Sequence, residues 1–158
     1  MTTAAASLTR HPLSKLAPLR DKLAAVPLSL ILLVARVGIG SVFLKAGLLK
    51  YQSWQITLLL FRDEYKVPLI DPTLLAKMAT FNELTFSTLL LLGVATRLAT
   101  LPFFGMILVI QTFVYPDAWT DHLLWASGLL LLLTRGGGQL SLDYMIGRWF
   151  TRRSNALA

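Results

Sequence analysis

The chain has 158 residues, 55% of them hydrophobic and 15% charged, with a mean hydropathy of +0.64, whereas an ordinary soluble domain carries about 25% charged residues. Fifteen Lys and Arg against eight Asp and Glu give a net charge of +7, which raises nucleic acid as a partner until the positions of those charges are considered. There is no cysteine, which excludes disulfides, thiol redox chemistry and thiolate metal ligation in this polypeptide.

Residues 1–24, rich in Ala, Ser, Thr and Pro, read as a mobile tail, with Pro18 and Pro27 punctuating the approach to the first apolar stretch. Four such stretches follow: Val26–Leu49, Leu74–Leu92, Leu98–Val114 and Trp119–Leu133. Each is near the ~20 residues that a helix needs to cross a ~30 Å hydrocarbon layer. The first is too long for a signal-peptide core and is read as an uncleaved anchor. Between the first two, Trp54, Leu58, Phe61 and Tyr65 fall on one stripe of a helix, so 51–73 is expected to lie as an amphipathic helix at the membrane interface. Asp71-Pro72 starts the second span with an acidic cap, and Gly93 ends it. The short stretch to Arg97 makes spans two and three antiparallel neighbours. Tyr115-Pro116-Asp117 turns the chain, with Asp117 the expected cap of span four. The run Arg135-Gly136-Gly137-Gly138 ends that span, and Ser141 is placed to cap a last short helix over 142–152.

The expected fold is therefore all-α: a polytopic membrane four-helix bundle with an extracytoplasmic amphipathic helix and a short cytoplasmic C-terminal helix. Its boundaries are a tail over 1–25, a single transmembrane domain over 26–150 and a tail over 151–158. Nine of the fifteen basic residues (Arg10, Lys15, Arg20, Lys22, Arg97, Arg135, Arg148, Arg152 and Arg153) fall on one side of such a bundle. The positive-inside rule puts that side, with both termini, in the cytoplasm of a bacterial inner membrane. The basic excess is then a topology signal and an attraction to membrane lipids rather than a nucleic-acid footprint.

The few polar groups inside the spans are where function is sought. At ~1.5 Å per residue, Arg36 counted from Pro27 and Glu83 counted from Gly93 both lie about 14–15 Å deep. An unpaired charge there costs at least ~2.5–3.5 kcal/mol, so an Arg36–Glu83 ion pair is expected, supported by Asn82. Arg36, Gly40, Phe43, Gly47 and Lys50 share one face of span one; Ala76, Ala79, Glu83, Ser87 and Leu90 share one face of span two. The pair reads either as a structural clasp or as a proton relay or anchor for a ligand head. His122 and Gln111 share a second, outer level. The imidazole reads either as hydrogen-bonded to Gln111, Tyr115 or Asp121, or as a donor to a quinone carbonyl, a metal ligand or a proton shuttle. One buried His, two Met and no Cys make no recognisable metal site.

Taken together these residues resemble the DoxX family of small bacterial four-span membrane proteins. The resemblance lies in Arg36-x-Gly38-x-Gly40, Phe43-x3-Gly47-x2-Lys50, Trp54, Phe61-x3-Tyr65-x2-Pro68 and Glu83. It continues in Leu92-Gly93-x2-Thr96-Arg97, Gln111-x-Phe113-x-Tyr115-Pro116, His122-x2-Trp125, Arg135-Gly136-Gly137-Gly138 and Ser141-Leu142-Asp143. It covers about residues 28–146, and departs where the family usually has a proline and this chain has Gly137. What it implies is an inner-membrane bundle; members and relatives are linked to quinone-coupled sulfur oxidation, oxidative-stress complexes, and operons of metal response or peptide modification. The reading that follows is an accessory subunit holding a quinone or lipid-like ligand, with Arg36, Lys50, Glu83, Gln111 and His122 as polar contacts and Trp54, Tyr65 and Trp125 as ring contacts. Its partners would be proteins of the same operon or further copies of itself. A proton-coupled transporter and a structural scaffold are the alternatives.

Overall fold

A computed structural model describes residues 16–155, and every regular element among them is helical. Helix α1 (Ala17–Ala24) carries Pro18 in its first turn, where its fixed φ suits the helix. Part of the expected mobile tail is thus helical, and residues 1–15 lie outside the described residues. Pro27 is extended (φ −61°, ψ 129°) and hands the chain to α2 (Leu28–Gln52). The next helix, α3 (Trp54–Leu59), widens into a π-turn over Leu60–Tyr65 that stops at Lys66, held at φ 44°. The expected interfacial stripe is present there, with Phe61 buried and Trp54, Leu58 and Tyr65 half-buried. Asp71 caps α4 (Pro72–Leu92), accepting from the Leu74 N–H at 2.9 Å, and Gly93 at φ 69° ends it. Helix α5 (Thr96–Val109) contains Pro102 and also widens into a π-turn, Ile110–Val114. A 3₁₀ turn, Pro116–Ala118, runs into α6 (Trp119–Arg135). Asp117 lies inside that turn, so it does not cap α6, whose N-cap is Ala118 without a side-chain bond. Gly136 at φ 76° ends α6, and Ser141 Oγ accepts from the Tyr144 N–H at the start of α7 (Leu142–Asn155). Helix α7 therefore runs through most of the expected C-terminal tail.

Helices α2, α4, α5 and α6 close a ring in which each packs on two neighbours. Their shared core is Leu32, Ile39, Phe43, Leu90, Ala99, Phe103, Ile107, Leu129 and Leu132. Phe43 stands at its centre, 4.5 Å from the Phe103 ring and 5.3 Å, edge-on, from Trp125. The outward faces remain apolar: Val34, Leu49, Phe81, Leu98, Leu108 and Leu124 are all mostly exposed. Such a surface is a liability in water and is ordinary against lipid. Two segments, Leu28–Gln52 and Thr96–Val114, are long and apolar enough to cross a membrane. Of the other two expected spans, α6 has 17 residues, and α4 interleaves Lys77, Asn82 and Glu83 with five hydroxyl side chains.

One end of the ring is closed by a latch. The Asp143 carboxylate accepts from the Ala95 N–H (2.7 Å), the Thr96 N–H (2.9 Å) and the Thr96 hydroxyl (2.8 Å), capping α5 from the far end of the chain. The Asp143 N–H donates back to the Gly93 carbonyl at 2.9 Å. Arg97 reaches the Thr134 carbonyl, and Ser141 donates to the Gly138 carbonyl. A Cβ on Gly93 would run into Arg36 Nη1 and Ser141, and one on Gly137 into Ser141 and Thr96. These glycines are what let three chain segments meet here.

Candidate functional site

The level at which α2 and α4 touch decides which charges meet. A Cβ on Gly40 would sit 2.8 Å from Leu91 Cγ, and one on Gly47 would sit 2.9 Å from Glu83 Cβ. Glu83 is therefore level with Gly47, and Arg36 lies about 16 Å away along the axis at ~1.5 Å per residue. The expected Arg36–Glu83 pair does not form. The depth count sets Pro27 and Gly93 on one plane, whereas Gly93 lies against Arg36 and the first turns of α2 run past the end of α4 at the latch. Glu83 pairs instead with Lys50, one turn beyond Gly47 on the same face, at Nζ–Oε1 2.7 Å. Arg36 donates from Nη2 to the Leu140 carbonyl at 2.5 Å and is 1% exposed. Asn82, expected to support the pair, donates to the Pro102 carbonyl of α5 at 3.3 Å.

Around the Lys50–Glu83 pair, at the end away from the latch, lies a cavity of about 790 Å³. Its walls are apolar, with Phe43, Phe86, Met106 and Val109 prominent among them. Its polar wall groups are Lys50, Tyr65, Asn82, Glu83, Tyr115, Asp121 and His122. It reaches the flank between α4 and α5, where Met78, Phe81, Pro102 and Gly105 line it. Gly105 is exposed, and a Cβ there would meet nothing within 4 Å, so the gap between these helices is open. The α3 π-turn roofs the other side: buried Phe61 stacks edge-on with Tyr65 at 4.9 Å, and Tyr65 with Tyr115 at 5.8 Å. The Tyr115 hydroxyl donates to Glu64 at 2.8 Å, tying this roof to the end of α5. Burial, then the bond to Glu64, pushes the Tyr115 phenol above its ordinary range.

His122 is 4% exposed, and its Nδ1 lies 2.6 Å from Gln111 Oε1. Gln111 in turn donates from Nε2 to the Pro116 carbonyl at 2.7 Å. The imidazole packs beside Trp125, ring centroids 5.5 Å apart. Of the residues picked from sequence, the structure thus brings Lys50, Tyr65, Glu83, His122 and Trp125 to one cavity wall, with Gln111 behind His122. Arg36 and Trp54 are not on that wall. The sequence reading missed the Lys50–Glu83 pairing and the Tyr115–Glu64 tie. A usable signal for the pairing existed: Gly40 and Gly47 match the seven-residue spacing of Leu84 and Leu91, which sets the helix register. The hollow of similar volume at the other end is an open depression over the latch, with Arg97 and Arg135 among its lining. Among the described residues no three His, Asp or Glu side chains cluster in a way that would hold a metal ion.

A family model, DoxX, matches residues 31–116, more than half of the chain. An uncharacterized protein of Haemophilus influenzae is 30% identical over 135 residues, covering 78% of this chain and 87% of that protein. No solved structure matches.

Proposed function

Because the chain belongs to the DoxX family, we propose that it is a four-span inner-membrane protein whose bundle holds a small amphiphile, a quinone or a lipid-like molecule. It would serve as an accessory subunit of a redox or stress-response complex. Helices α4 and α6 complete the four spans, joining the two that are long and apolar enough to cross on their own. The latch end, with Arg97, Arg135, Arg148, Arg152 and Arg153, faces the cytoplasm. The acidic residues Asp63, Glu64, Asp71, Asp117 and Asp121 face outward. Reporter fusions after Asn155 are then cytoplasmic and fusions within 62–66 extracytoplasmic; finding both on one side removes this topology.

The observation that carries the ligand reading is the cavity itself. A space of about 790 Å³ lies within the ~300–1,000 Å³ of small-molecule sites, and such sites pair apolar walls with a few convergent polar groups. Its flank opens between α4 and α5, the side from which a molecule dissolved in lipid would enter. Lys50, Glu83 and His122 would hold the head, Tyr65 and Trp125 would contact its ring or its neck, and Phe86 and Met106 would hold the body. The Phe61–Tyr65 roof excludes water from above. With no cysteine in the sequence and no nucleotide-binding motif, electrons would enter or leave through a partner or the ligand.

Extraction of the purified protein followed by mass spectrometry tests the reading. The parent is expected to carry a quinone or a defined lipid, and His122→Leu, which removes a polar group without stranding a charge, to carry less of it. Identical lipid content in the two, with no quinone in either, would favour a scaffold instead.

A further inference from the structure

Among the cavity-wall atoms that receive no hydrogen bond from the described residues are two acceptors, Glu83 Oε2 and His122 Nε2. Glu83 accepts from Lys50 on Oε1, while its Oε2 is buried and accepts nothing. His122 is set from behind. Gln111 commits its NH₂ to the Pro116 carbonyl, so its amide oxygen faces His122 Nδ1 at 2.6 Å, and that nitrogen must carry the ring proton. A neutral imidazole has one N–H, so Nε2 keeps its lone pair, and no hydrogen bond reaches it. Beside Glu83, Lys50 gives that carboxylate one of its three protons and keeps two.

We infer that the cavity selects an amphiphile whose head carries hydroxyl groups, over the same body carrying carbonyl or ether groups. This rests on the ligand-binding reading above and narrows it. A hydroxyl donates to Glu83 Oε2 or His122 Nε2 while its oxygen accepts from Lys50. A carbonyl head can accept from Lys50 but donates nothing, so Glu83 Oε2 and His122 Nε2 stay unsatisfied between apolar walls. Of a quinone couple the site would therefore take the reduced, dihydroxy member; of lipids, a glycerol-headed one. Both share the same chemistry, a vicinal or ring-borne diol on an apolar tail.

The test is calorimetric titration of the full chain in phosphatidylcholine nanodiscs with four probes. These are decyl-hydroquinone under argon, its O,O-dimethyl ether, 1-decanoylglycerol and its O,O-dimethyl ether. Each ether keeps the body and removes both donors. At least one diol is expected to bind about tenfold or more tighter than its ether, and that margin to fall below about threefold in His122→Leu; which pair responds tells a ring head from a glycerol head. Binding of diols and ethers with equal affinity would overturn the head selection and leave the cavity reading standing. Binding of none of the four would overturn both. Should His122→Leu fail to fold, the diol-to-ether ratio of the parent decides alone.

Discussion

At the latch, one carboxylate, Asp143, accepts three hydrogen bonds and ties the start of α5 to the segment after α6. At the cavity, another carboxylate, Glu83, accepts a single side-chain bond and leaves one oxygen bare. At the latch, glycines let the chain segments close on one another beneath an open surface depression, whereas the other end keeps about 790 Å³ between the helices beside its charges. Polar residues of the same kinds therefore do different work at the two ends. Those of the latch satisfy backbone groups and set the chain path. Those of the cavity are satisfied only in part, which in a buried site calls for an explanation beyond folding. Arg36 stands between these cases. It belongs to the latch by position, lies against Gly93 and has Asp143 as its electrostatic neighbour, yet its Nε and Nη1 have no partners among the described residues.

The sharpest way to break this comparison is to remove its charges. Glu83→Ala strands the Lys50 ammonium in a mostly buried position and is expected to cost about 2–3 kcal/mol, below the full penalty of a closed pair because Lys50 keeps some access. Lys50→Met with Glu83→Leu should recover much of that loss. Arg36→Ala and Glu83→Ala should be additive in the double variant, since the two side chains share no partner and sit far apart. Thermal unfolding in detergent measures all four. Coupling of about 1 kcal/mol or more between Arg36 and Glu83 would show that the helices meet at another level.

Glycines give a second contrast of smaller size. Gly93→Ala must place a Cβ at φ 69° and against Arg36 and Ser141, and is expected to cost about 2 kcal/mol. Gly105→Ala, on the open flank of the cavity, meets nothing and should be neutral or stabilising by up to about 1 kcal/mol through helix propensity. Equal losses at the two positions would mean that the α4–α5 flank is closed.

The helices were legible because their signals are local. Apolar runs, Asp71-Pro72, Gly93, the triple glycine after Arg135 and Ser141 each act within a few residues, and each marks an observed boundary. The burial of Arg36, Gly40, Phe43 and Gly47 along one face of α2 was legible for the same reason. What failed was the relation between helices. Ruling out the Arg36–Glu83 pair required knowing the overhang of α2 past α4, which depends on where chain segments 104 residues apart, Arg36 and Leu140, come together. The role of Asp143 was hidden likewise, because a cap supplied 47 residues away in sequence leaves no local pattern at Thr96. The π-turns that end α3 and α5 face each other across the roof, and no spacing rule placed Tyr115 beside Glu64.

That roof sets the smallest expected effect. Tyr115 joins the end of α5 to the α3 π-turn through its bond to Glu64, at a half-exposed position, so Tyr115→Phe should cost less than about 1 kcal/mol at neutral pH. Its pH dependence is more telling. Burial raises the phenol above its ordinary value of about 10, so the folded state holds this proton more tightly than the unfolded one. The contribution is fully present below pH ~10 and is lost as pH rises beyond it. Amide exchange across 58–66 should therefore accelerate in that alkaline range in the parent. In Tyr115→Phe the same segment should exchange faster at neutral pH and lose that alkaline step. If parent and variant show the same profile, the Tyr115–Glu64 bond does not hold the roof, and cover over the cavity rests on the Phe61 and Tyr65 rings alone.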